Sequence, residues 1–155
     1  MSTPPGALAE PGIFQRIPED HLALLAEHAR QVDLRPGAAL LREGDPADVF
    51  YVLRAGKVAI ELFVPSRGLV PIETVGAGGL VGWSWLFPPY RFVFDAHALS
   101  PVTAHAVDGA RLRSLFTGDP AFAYDVLLQV SRVLAERLHA TRLRLLDVYG
   151  NPDQS

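Results

Sequence analysis

Cysteine is absent from the 155 residues, which excludes disulfides, thiolate catalysis and zinc or iron–sulfur centres held by Cys. That absence fits a reducing compartment. Positive charge is also scarce: 14 Lys and Arg against 17 Asp and Glu leave a net charge of -3. The chain as a whole therefore has no attraction for nucleic-acid phosphates. No basic N-terminal region precedes an apolar run, so no secretory signal is expected. The apolar stretch Leu80 to Phe94 is broken by Pro88, Pro89 and Arg91, short of the roughly 18 to 20 residues of a membrane-spanning helix. A soluble, cytoplasmic protein is the expectation.

What is present is apolar enough for one real core: 49% of residues are hydrophobic and 20% charged, a globular composition at single-domain length. Residues 1–12 carry three Pro and two Gly and predict a flexible, irregular arm. Pro18, Glu19 and Asp20 then suit a first helical turn, and Leu22, Leu25, Ala26 and Ala29 recur at helical spacing, predicting a short helix that ends near Arg30. His21 and His28 lie two turns apart on it and are expected to be solvated.

Strand patterns follow at Val32 to Leu34, Ala39 to Arg42, Val49 to Arg54, Lys57 to Val64 and Pro71 to Val75. Turn residues separate them: Pro36-Gly37, Gly44-Asp45-Pro46, Ala55-Gly56 and Pro65 to Gly68. Phe92 to Leu99 and Val102 to Val107 add two more, and helical patterning returns at Gly109 to Phe116. This rhythm of seven strand patterns predicts a mainly β body with flanking helices, a sandwich or barrel spanning residues 13–118.

Residues 119–150 read as one long helix, with Asp119 as cap, Pro120 in the first turn and Gly150 and Pro152 as the stop. Roughly 30 residues give about 45 Å, longer than one small barrel. Phe122, Val126, Val130 and Val133 form a stripe for packing on the body. A second stripe, Leu127, Ser131, Leu134, Leu138, Thr141, Leu145 and Val148, has the spacing of a coiled-coil seam and predicts a parallel homodimer. The competing expectation is a helix packed wholly on its own domain. Arg132, Arg137, Arg142 and Arg144 read as a solvated face or a surface for an acidic partner. Residues 151–155 are expected to be a tail.

The densest chemistry is Gly76 to Ala98, in which Trp83 to Phe94 holds 6 of the 14 aromatic residues. Gly76, Gly78 and Gly79 do not complete a dinucleotide fingerprint, because Val81 stands where a third Gly is required. Ser84 sits in Gly-Trp-Ser-Trp-Leu, where Leu86 replaces the closing Gly of a nucleophile elbow. Asp95 and His97 share one face of a strand and suit metal ligation in a cupin-like barrel, but the cupin His-x-His pair is absent and His105 is no more than a candidate cross-strand third ligand, against the alternatives of a solvated polar face or an Arg91–Asp95 ion pair. Glu43, Asp45 and Asp48 fall at a turn and read as its caps. No catalytic residue and no metal site is assigned.

Pro36-Gly37-Ala38-Ala39-Leu40-Leu41-Arg42-Glu43-Gly44-Asp45-Pro46-Ala47-Asp48, followed by Phe50-Tyr51-Val52-Leu53 and Gly56-Lys57-Val58, resembles the strand–turn signature of the cyclic-nucleotide-binding domain family. The likeness runs from about Ile13 to Tyr149. It implies the fold, a cupin-like β-roll or jelly-roll barrel of about eight strands, and the bacterial catabolite-activator relatives imply a dimer helix at the end of the domain followed by a DNA-binding helix-turn-helix. Only residues 151–155 follow here, so a stand-alone sensor or interaction domain without direct DNA binding is expected. In this family a phosphate-binding cassette of the form Phe-Gly-Glu, short helix, Arg and a small residue holds the ligand. Its Glu accepts the ribose hydroxyl and its Arg pairs with the cyclic phosphate.

The matching cassette positions are Gly82, Trp83, Ser84, Trp85, Arg91 and Phe92. Trp83 stands at the Glu position, and an indole N–H donates but cannot accept. Either Arg91 or Phe92 takes the Arg position. Strand alternation puts Phe92, Phe94, Ala96 and Ala98 on one face and Arg91, Val93, Asp95 and His97 on the other, so Arg91 reaches the interior only through a bulge. Three functions follow in order: a non-enzymatic regulatory or protein-interaction module with a remade aromatic cassette, acting on an unidentified partner; a sensor of cyclic AMP, cyclic GMP or another small ligand; a cupin-like metal enzyme.

Overall fold

A computed structural model describes residues 2–8 and 12–150, without the side chains of residues 5, 149 and 150. A helical turn α1 (Pro5–Leu8) and helix α2 (Glu19–Glu27) precede strands β1 (Ala29–Leu34), β2 (Ala39–Leu41), β3 (Val49–Ala55), β4 (Val58–Val64), β5 (Gly68–Val75) and β6 (Leu80–Val81). A single 3-10 turn (Ser84–Leu86), β7 (Asp95–Ala98), β8 (Val102–Asp108), α3 (Gly109–Gly118) and α4 (Pro120–Gly150) complete the order. The strands form two antiparallel sheets, β1-β8-β3-β6 and β2-β7-β4-β5. Eight strands, a preceding helix and one long closing helix are the architecture that the family resemblance implies; the turn spacing marks all of the strands but β6.

Directly opposed residues of an antiparallel pair share a face. Val32, Ala104 and Leu53 therefore form one row, with Leu34 and Val102 beside it. Ile60 opposite Ala96 and Val58 opposite Ala98 form the answering row of the second sheet. Both rows enter one apolar core.

The other face of the first sheet carries Phe50, Val52, His105 and Val107, and the helices cover it. Phe50 stacks on Trp85 with ring centroids 4.6 Å apart, Trp85 meets Phe116 at 6.0 Å, and Phe116 meets Phe122 at 5.6 Å. This aromatic column ties β3 and the Ser84–Leu86 turn to α3 and α4. Space for it is tight: a Cβ on Gly109 would lie 2.9 Å from Trp85 atoms. Helix α4 adds Phe122, Val126 and Val130, all essentially fully buried, in the stripe the sequence assigns to body packing. Asp119 caps it by accepting from the Phe122 amide at 3.1 Å.

Several local expectations are corrected by tertiary contacts. Helix α2 stops at Glu27 because Ala29 and Arg30 join the β1 ladder opposite Val107 and Ala106. His21 is not solvated. It bonds Asp125 of α4, and its ring lies against Phe122 at 5.5 Å. The described part of the N-terminal arm is not a loose segment: Leu8 and Thr3 are buried, and Thr3 Oγ1 bonds Nδ1 of buried His105 at 3.1 Å. A buried imidazole requires polar company, and the arm supplies it. Positions 9–11 of the arm and the tail 151–155 lie outside the described residues. Only Asp95 to Ala98 of the expected Phe92 to Leu99 strand is laddered. Before it, Phe92 exchanges backbone bonds with the turn at Gly44 and Asp45.

If the aromatic column organises the body, Gly109→Ala should destabilise by about 1–3 kcal/mol through overpacking and Phe122→Ala by about 3–5 kcal/mol through a cavity. Denaturant titration measures both. Losses under about 0.5 kcal/mol in each would show that the column does not carry the fold.

Candidate functional site

The segment from β6 to β7 leaves the sheet at Gly82, whose positive φ of 97° suits a residue without a Cβ. The Ser84–Leu86 turn follows, then Phe87 to Tyr90. Tyr90 accepts the Ala47 amide on its carbonyl at 2.8 Å, and its ring lies under the Arg113 guanidinium at 4.1 Å. Arg113 of α3 also donates to the carbonyls of Ala47 at 3.1 Å and Trp85 at 2.8 Å. One helix side chain thus holds both ends of the aromatic turn. Nothing local in the sequence marks Arg113 for this role, because its partners lie 28 and 66 positions away.

The structure divides the candidate residues among three environments. Ser84 and Trp85 are buried, Trp85 against Phe116 of α3, and Trp85 Nε1 finds no acceptor among the described residues. Trp83, half-buried, packs edge-on against Phe94 at 5.1 Å. Phe92 is buried in the apolar core, whereas Arg91 is exposed and donates to the Gly44 carbonyl at 3.3 Å. The bridge between Pro46 and Arg91 holds the chain where alternation sends Phe92 inward. Gly82, Trp83 and Phe92 thus belong to the roll, Trp85 to the helical layer and Arg91 to the surface, with Ser84 buried in the turn between the two Trp.

The polar strand face has its own partners. Asp95 accepts the Glu43 amide at 2.7 Å, so the alternative Arg91–Asp95 ion pair is not formed. His97 Nδ1 lies 2.5 Å from Oε1 of buried Glu61. His105 belongs to the other sheet and bonds Thr3, so the three candidate metal ligands are not brought together. No group of three or more His, Asp or Glu side chains is placed to hold a metal among the described residues.

A further residue, Arg137 of α4, reaches the start of the cassette. Its Nη2 donates to the Leu80 carbonyl, its Nε lies 3.2 Å from Glu73, and its guanidinium carbon lies 5.8 Å from the Trp83 ring centre. Nη1 is buried without a partner among the described residues. Burial lowers the Arg137 pKa from its ordinary value, and the Glu73 carboxylate opposes that shift; so strong a base stays cationic near neutral pH. Burial likewise raises the Tyr51 phenol, against Arg30, in the row that Tyr51 shares with Val81 and Ala106.

The solvated face expected for the α4 arginines is corrected for Arg137, while Arg132, Arg142 and Arg144 are exposed. Positions 122, 126, 130, 133 and 137 follow one helical stripe, so Arg137 continues the series that faces the body. Arg144 extends it by donating to the Ile72 carbonyl of edge strand β5 at 3.1 Å. Of the seam residues, Leu127, Ser131, Leu138, Thr141, Leu145 and Val148 are exposed and Leu134 is half-buried.

Comparison with known proteins gives this geometry a family. Residues 31–119 match the model of the cyclic nucleotide-binding domain. A CRP-like cAMP-activated global transcriptional regulator of Mycobacterium tuberculosis is 30% identical over 141 residues, covering 91% of this chain but 61% of the relative's length. Among solved structures, a Geobacter metallireducens GS-15 protein assigned to cyclic nucleotide binding superposes with TM-score 0.79 at 25% identity, covering 88% of this chain and 99% of the other. A cyclic nucleotide-binding domain from Methylobacillus flagellatus KT gives 0.77 at 21% identity, covering 92% and 80%. No helix among the described residues is long and apolar enough to cross a membrane. The chain belongs to the cyclic nucleotide-binding domain family.

Proposed function

We propose that this chain is a non-enzymatic regulatory or protein-interaction module in which the cassette has become structural and does not hold cyclic nucleotide in the family's usual way. The observation that carries the reading is the exchange at the end of the cassette: Phe92 is buried and Arg91 faces solvent. A phosphate in the roll would meet an aromatic ring where it needs a cation, and an uncompensated buried charge costs several kcal/mol. Trp83 compounds the loss, because its indole cannot accept a ribose hydroxyl.

In this reading the signal passes through contacts rather than through a ligand. Arg137 joins α4 to Leu80 and Glu73, and Arg113 joins α3 to the aromatic turn. A partner that displaces the exposed Phe87 or the turn around it would therefore pull on both helices. Helix α4 in turn offers Leu127, Leu138, Leu145 and Val148 to solvent on one seam, which supports a parallel homodimer.

Cyclic AMP or cyclic GMP sensing is the second reading. It is favoured by the cAMP activation named for the mycobacterial relative and by Arg137, which brings a cation to Trp83 from α4. Titration calorimetry separates the two. The structural cassette predicts no binding of either cyclic nucleotide in the micromolar range, and micromolar or tighter binding abolished by Arg137→Ala would establish the second.

For the seam, sedimentation should show a dimer that Leu138→Asp converts to monomer. An unchanged mass in the variant would remove the seam from the proposal.

A further inference from the structure

Outside the cassette, a cleft of about 630 Å³ opens between α4 and the glycine loop that joins β5 to β6. We propose that it is a binding site for a small oxyanion, a polycarboxylate or a phosphorylated metabolite. Gly82, Trp83, Ser84 and Phe92 do not line it; Arg137 alone borders both the cleft and the cassette, and the inference rests on Arg16 and Arg132, which do not touch the cassette, so it stands whether or not cyclic nucleotide binds.

Three guanidinium groups converge on the cleft, Arg16 from the segment before α2 and Arg132 and Arg137 from α4, with Glu73 and Glu136 as the acidic members. Glu73 is already paired with Arg137. That leaves Arg16 and Arg132 facing Glu136, a local excess of positive charge in a chain whose net charge is -3. Neither Arg16 nor Arg132 has an ion-pair partner among the described residues. Arg137 adds positive charge beside the cleft, but its Nη1 is too deeply buried to meet a ligand there, so Arg16 and Arg132 are the groups a ligand would meet. A planar guanidinium matches carboxylate and phosphate oxygens two at a time.

The opposite wall is prepared in advance. The Gly78 amide donates to Leu53 at 2.7 Å, the Gly79 carbonyl accepts from Leu53 at 2.9 Å, and the Gly78 carbonyl accepts from Ile13 at 3.1 Å. The loop is thereby pinned to β3 and to the N-terminal segment, and little ordering remains to be done on binding. Of its glycines, Gly76 has open space where a Cβ would stand, whereas Gly79 lies against Val75. The volume falls within the range of about 300–1,000 Å³ usual for small-molecule sites. No aromatic side chain among the described residues lines it, so a nucleobase would find no stacking surface there, and a compact polar oxyanion is the better fit. Such a ligand would bridge α4, the Ile13 segment and the loop that leads directly into β6 and the cassette.

Citrate and inorganic pyrophosphate serve as probes, titrated by calorimetry into the wild-type chain at near-physiological ionic strength. Binding of at least one is expected, and which of them binds assigns the carboxylate or phosphate class. Arg132→Ala should weaken it roughly tenfold or more, the loss of one charge-assisted contact, while Glu136→Gln should strengthen it by removing a like charge. Arg132 and Glu136 are exposed, and circular dichroism confirms that both variants remain folded. Failure of both probes to bind at millimolar concentration, or an affinity unchanged in Arg132→Ala, would overturn the proposal. Neither result bears on cyclic-nucleotide titrations, which probe the cassette.

Discussion

The stack of Trp85 on Phe50 is the contact on which the rest of the arrangement leans. Phe50 belongs to the central strand pair of the first sheet, Trp85 to the turn after β6, and Phe116 and Phe122 extend the contact into both C-terminal helices. Aromatic pairs of this kind add about 0.5–1.5 kcal/mol beyond the area they bury. Their greater effect here is geometric. With Trp85 committed to the helices and Gly109 pressed against it, Trp83 lies on the other side of the turn, beside Phe94 and near the Arg137 guanidinium.

From that division follows the proposed character of the family's ligand site in this chain. The roll has its two sheets and its turn, with rings at the positions where a phosphate and a ribose would need charge. The cations nearest the cassette come instead from the helices: Arg113 clasps the aromatic turn from α3, and Arg137 reaches Leu80 and Glu73 from α4. Both direct donors to backbone carbonyls. The cost of burying Arg137, whose Nη1 has no partner among the described residues, is offset in part by the Glu73 carboxylate at Nε and the Leu80 carbonyl at Nη2. The result is a helix–cassette connection made wholly within the chain.

Arg137 and Arg144 also explain the course of α4 beyond its apolar stripe. Past Leu134 the large apolar residues of the helix are exposed, yet it stays along β5 because Arg144 bonds the Ile72 carbonyl and Arg137 holds Glu73. Donation to the carbonyl of an edge strand also covers part of an otherwise open row of backbone groups. The exposed leucines of the neighbouring seam are thereby presented on a helix anchored at several points.

Much of this is legible in the residues alone. Strand alternation over Phe92 to Ala98 and helical periodicity over Phe122 to Val133 are local properties of backbone geometry, so they identify which side of an element is apolar wherever the element lands. Phe92 is buried and Arg91 exposed, as that alternation requires, and turn chemistry marks seven of the eight strands. The two-residue strand β6 is not legible, because Leu80 and Val81 acquire their ladder only from Tyr51 and Val52. Helix or strand at Ala29 and Arg30 is settled by β8 in the same way. What only the tertiary structure decides is which aromatic faces the roll and which the helices, and which arginines are solvated. Trp83 and Trp85, or Arg132 and Arg137, are alike as neighbours in sequence. They differ because of partners such as Phe50, Glu73 and Leu80, which are distant along the chain and are brought near only by the packing of the sheets against the helices.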